Sequence, residues 1–73
     1  LPQHNVQKGN IMDIAILDYS TAEITLVKNC PDSWEEEDIE EYIYGEDGLD
    51  ISASNTYYMA GNNISFKPKD YEV

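Results

Sequence analysis

The sequence predicts an α+β fold. One helix covers one face of an antiparallel sheet, giving two layers in the order β-β-α-β-β. Three observations predict it. Apolar residues alternate with others over residues 12–18 and 22–28, on either side of a short polar turn. Only Ser33–Tyr44 combines capping residues with i, i+3, i+4 apolar spacing. Two further β-prone runs, 56–60 and 64–67, bracket the turn former Gly61-Asn62-Asn63.

The organisation follows from length and pattern. Seventy-three residues make one small domain, because a chain of this size buries only about 60% of its unfolded surface. Residues 1–11 are polar and aperiodic and read as a flexible N-terminal arm. Encoded as AAA-GGA, Lys8-Gly9 would resemble a bacterial ribosome-binding site upstream of Met12. The expectation is then that the native chain starts at Met12 and that the arm is not native coding sequence. A purine-rich run at that place in the coding DNA would bear this out. The domain proper spans residues 12–67, and 68–73 form a C-terminal tail.

Met12 to Asp18 is the first strand. Met12, Ile14 and Ile16 alternate with Asp13, Ala15 and Leu17. Its second face is also fairly apolar, which marks a central strand or one covered on both sides. Tyr19-Ser20-Thr21-Ala22 is the turn, and Asp18 is placed to fold its carboxylate onto backbone amides there. Ala22 to Lys28 is the second strand, with Ile24 and Leu26 facing in and Glu23 and Thr25 facing out. Asn29-Cys30-Pro31 ends it, since Pro31 supplies no ladder donor.

The helix follows. Ser33 with Glu36 has the spacing of a capping box, and Asp32 with Glu35 repeats it one residue earlier. Ile39, Tyr42 and Ile43 form a narrow buried stripe, while Trp34 is expected at the helix entrance. Gly45 is placed to stop the helix in the left-handed conformation. Leu49 and Ile51 pin the loop over 46–55 to the core. Thr56 to Ala60 is the third strand. Ile64 to Lys67 is the fourth, ended by Pro68.

Composition excludes several functions. The net charge is −11, with four lysines, no arginine and one histidine. Phosphate neutralisation drives nucleic-acid affinity, so direct binding of nucleic acid is excluded, and anionic membranes are disfavoured for the same reason. No apolar run approaches membrane-spanning length, and no apolar h-region follows a basic start. A soluble cytoplasmic protein is the expectation. The single cysteine, Cys30, rules out an intrachain disulfide framework; it is expected as a small buried side chain.

No catalytic constellation stands out. The one histidine, His4, lies in the arm, which leaves the domain without an imidazole base. No serine sits in a G-x-S-x-G setting. Glu46-Asp47-Gly48-Leu49-Asp50 lacks the alternating ligands of a calcium loop. The expectation is no enzyme, no metal and no cofactor.

Ile16-Leu17-Asp18-Tyr19-Ser20-Thr21, Glu37-Asp38-Ile39-Glu40-Glu41 and Ser54-Asn55-Thr56-Tyr57-Tyr58-Met59 resemble short motifs of a group of small acidic bacterial proteins. These occur among mobile-element genes of gut anaerobes and have no assigned function. The likeness runs over most of Met12 to Lys67. Where that pattern has glycine after the turn, this chain has Ala22. The resemblance implies an accessory or interaction role and supplies no active-site residues.

Two surfaces are candidates for a partner. Six of the fifteen acidic residues fall between Glu35 and Glu41. Glu36/Glu40 and Glu37/Glu41 are like-charge i, i+4 pairs, which cost about 0.2–0.5 kcal/mol each. An acidic face of Glu36, Glu37, Asp38, Glu40 and Glu41 would suit a basic protein. The second surface is the sheet face that one helix leaves uncovered, with Leu17, Tyr19 and Tyr58 on it; tyrosine is at home in interfaces. The expected function is a non-enzymatic protein-interaction module, binding a protein partner or itself as a homodimer. The alternative is an acidic nucleic-acid mimic that inhibits a basic DNA-binding protein.

Overall fold

The computed structural model describes residues 10–71. It shows an α+β fold with one three-stranded antiparallel sheet and one α-helix. Of the arm expected over 1–11, residues 1–9 lie outside the described range, while Asn10 O accepts from Asp32 N–H at 3.0 Å and Ile11 already belongs to the first strand, opposite Pro31. In chain order the elements are β1 (Ile11–Asp18), β2 (Glu23–Pro31), α1 (Glu36–Tyr44) and β3 (Thr56–Gly61). A short 3-10 turn at Ala53–Asn55 leads into β3.

The strand order is β2-β1-β3, so β1 is central, as its two apolar faces predicted. Asp18 pairs with Glu23 across the Tyr19–Ala22 turn. The Asp18 carboxylate accepts from the Ser20 backbone N–H at 3.0 Å and from its hydroxyl at 2.7 Å. These bonds, led by the Ser20 hydroxyl, hold Asp18 below its ordinary pKa.

Strand β2 corrects one expectation. It does not end before Asn29 but runs to Pro31, its terminal residue, opposite Ile11. The pairing jumps from Met12–Cys30 to Ile14–Val27, so Lys28 and Asn29 together oppose Asp13. This is a β-bulge. Asn29 adopts φ 64° there, a left-handed conformation that asparagine tolerates better than most residues.

The helix also starts later than the capping pattern suggested. Glu35 is its N-cap rather than Ser33 or Asp32. The Glu35 N–H donates to the Asp38 carboxylate at 2.9 Å. The same spacing of acceptor and backbone donor occurs at all three positions, and only the path of the chain out of β2 selects among them. Gly45 ends α1 without left-handed geometry, at φ −77°. A Cβ at Gly45 would lie 2.5 Å from the Glu41 carbonyl oxygen, and one at Gly48 would overlap the Tyr42 carbonyl. Close approach, not positive φ, is what these glycines permit. The loop then folds back: Leu49 N–H donates to Tyr42 O at 2.8 Å, and Ile51 N–H donates to Ile43 O at 2.9 Å. These bonds satisfy carbonyls that the last helical turn would otherwise leave open.

The core is Met12, Ile14, Ile16, Cys30, Ile39 and Ile43, with Trp34, Tyr42, Tyr44, Leu49, Ile51 and Tyr58 packed around it. The expected Ile39/Tyr42/Ile43 stripe therefore supplies the helix's share. Trp34 stands just before the helix, its ring 5.5 Å from that of Tyr42.

The fourth strand is not formed. Residues 64–70 carry no strand pairing. After the turn at Asn62-Asn63, where Asn63 has φ 57°, the Ile64 N–H donates to the Asp13 carboxylate at 3.0 Å. That bond ties the segment to the central strand, not alongside β3. The described helix is too short and polar to cross a membrane.

Candidate functional site

Residues paired across adjacent strands point to the same side of the sheet. On one side lie Ile14, Ile16, Val27 and Tyr58, facing the core. On the other lie Ala15 and Leu17 of β1, Leu26 and Ile24 opposite them on β2, and Met59 and Tyr57 opposite them on β3. This second side is open. Tyr57 is 66% exposed, Met59 59% and Ile24 56%. Leu17 and Leu26 are also exposed.

The register therefore reverses the expectation for β2. Ile24 and Leu26 do not face the core. A strand's side-chain period is two, so one step of register moves the whole apolar set to the other face. Pairing Asp18 with Glu23 puts Ile24 beside Leu17. The four-residue turn was the signal that could have located them.

The open side is extended at both ends. Tyr19 stacks edge-on against Tyr57, with ring centroids 5.6 Å apart at 90°. At the far end, Ile64 and Phe66 join Ile24, Leu26 and Met59 around a shallow apolar depression of about 160 Å³. A second depression of about 150 Å³ lies between Leu17, Tyr57 and Met59. Neither converges polar groups on one point.

A charge pair borders this face. Asp13 is 4% exposed and accepts from the Lys28 ammonium at 3.0 Å as well as from Ile64 N–H. The Lys28 hydrogen bond is the main cause holding the Asp13 carboxyl below its ordinary range, against the opposing effect of burial.

The residues singled out from the sequence do not form one site. Leu17 and Tyr19 lie on the open side. Tyr58 lies on the core side; its hydroxyl donates to Glu40 Oε2 at 3.1 Å. Burial, then that bond and the neighbouring Glu40 charge, push the Tyr58 pKa up to about 12. Tyr57 takes the place expected for Tyr58. Glu40 is thus turned inward, and Asp38 is engaged in the helix cap. Glu36, Glu37 and Glu41 stay exposed on α1.

Cys30 is buried and unpaired. Burial and the nearby Asp13 charge push its thiol up, away from the thiolate that reactive cysteines need. Among the described residues, no cluster of His, Cys, Asp and Glu is arranged to hold a metal.

Comparison with known proteins found no match among family models, curated proteins or solved structures.

Proposed function

We propose that this chain is a non-enzymatic protein-interaction module whose contact surface is the open side of the sheet. We read the helix and sheet as two layers, so that one sheet face is left for a partner. The occupant is a folded protein with an equally flat, uncharged, apolar surface. The observation that carries the reading is the continuity of Leu17, Ile24, Leu26, Tyr57 and Met59 on one side of three paired strands. Single exposed apolar residues are ordinary, but a contiguous platform of this kind marks an interaction surface. Its aromatic and methionine content matches the enrichment of interface cores. The accessory role implied by the resemblance to small acidic bacterial proteins agrees with it.

The acidic alternative draws on Glu36, Glu37, Asp38 and Glu41, which are exposed, while Glu40 is turned to the Tyr58 hydroxyl. That leaves it a smaller surface than the sequence offered.

Site-specific photo-crosslinking tests the choice. A benzophenone amino acid replaces Tyr57 in one variant and Glu37 in another, expressed in the cells that make the protein. Protein adducts of defined mass are expected from position 57, and excess unmodified chain should suppress them. No adduct from position 57, or adducts from 37 alone, would overturn the reading.

A further inference from the structure

We infer that the occupant of the open sheet face is a second copy of this chain, giving a two-fold dimer with the sheets face to face. The inference rests on the interaction-module reading and names its partner. Area is the first argument. The exposed parts of Leu17, Ile24, Leu26, Tyr57 and Met59, with Tyr19 and Phe66 at the ends, amount to on the order of 800 Å², about one partner's share of a standard interface.

Charge is the second argument. A chain of net charge −11 should resist pairing with itself, yet among the strand residues on this face only Asp13 carries a carboxylate. Asp13, the one at its border, is buried and paired with Lys28. The acidic helix contributes its apolar residues to the core on the other side. Stacking two sheets about 10 Å apart therefore leaves both helices outermost. They are then separated by the full thickness of the paired sheets, well beyond the Debye length of about 8 Å at physiological salt. A contact made through the helices themselves would instead bring Glu36, Glu37 and Glu41 of the two copies together.

Symmetry is the third argument. An isologous contact needs a surface complementary to itself. A flat platform of aliphatic and aromatic side chains, without a charge to match, meets that need by interdigitation, as the inner faces of β-sandwiches do. A partner of different chemistry would be selected by charged or hydrogen-bonding groups, and this platform presents few: the tyrosine hydroxyls, Ser65 and, at its border, Lys28 already paired with Asp13.

Sedimentation equilibrium on the full chain tests the inference over about 1–100 μM, a range set against ordinary dimer affinities. The expected mass is twice the 8.3 kDa of the chain, and the association should persist or strengthen as NaCl is raised. Ile24→Lys and Tyr57→Lys change exposed residues, so circular dichroism should stay native. Each should raise the dissociation constant by at least about tenfold. A monomer throughout the range overturns the inference. So does a dimer that both substitutions leave intact, or one that dissolves as salt rises. A monomer whose position-57 crosslinker still captures a different protein rejects self-association alone. A monomer with no adduct rejects the interaction reading as well.

Discussion

Ala22 and Tyr58 carry the clearest consequences at the scale of single residues. Ala22 closes the first turn at φ 59°, where a Cβ is strained and glycine is not. Ala22→Gly should therefore stabilise the fold by about 0.5–1 kcal/mol, the left-handed penalty less the extra unfolded-state entropy of glycine. Urea unfolding measures this, and a less stable variant would show that the turn has another shape. Tyr58 makes a pH prediction. Its folded pKa is raised from 10.0 to about 12, so the folded state holds that proton more tightly. The associated stability is fully present below pH 10 and is lost as pH rises towards 12. Melting temperature should fall across that window in the parent chain. It should fall less steeply in Tyr58→Phe, which has no phenol to ionise.

At the scale of elements, the helix is held by its inward stripe and not by its own propensity. Nine residues form a helix too short to persist alone. Its first turn carries Glu36, Glu37 and Asp38, which favour the positive end of the dipole, and no basic residue stands in its last turn. Ile43 is fully buried and belongs to the same core as Ile14 and Ile16. Ile43→Ala should cost about 2–5 kcal/mol through lost burial and the cavity left behind. A cost below about 1 kcal/mol would mean that the helix is not anchored there.

Over the whole molecule, charge dominates. Fifteen acidic residues face four lysines, and one of those lysines is committed to Asp13. Self-repulsion opposes the compact state, and added salt screens it. The melting temperature should rise between about 10 and 500 mM NaCl. A flat profile would show that the acidic residues are too well solvated to repel one another.

The sequence by itself determined the α+β class and the Ile39/Ile43 anchor, and narrowed β1 to a central strand or one covered on both sides. These depend on local periods and on which residues are apolar at all. It also showed the turn chemistry of Asp18 and the entrance position of Trp34. The fourth strand was not legible, because Ile64-Ser65-Phe66 has a strand's alternation wherever it lies. Its fate depends on Asp13, fifty-one positions earlier, which takes the Ile64 N–H. Nor was the start of the helix, since three acidic or hydroxyl residues offered equivalent caps. The candidate surface lay between these cases. Leu17 and Tyr19 were visible, while Ile24, Leu26, Tyr57 and Met59 were assigned to it only by register. Alternation tells which residues share a face; it does not tell which face a partner strand turns to the core. Tertiary pairing makes that choice, and with it gathers the apolar platform on the side of the sheet that Ile14 and Ile16 do not face.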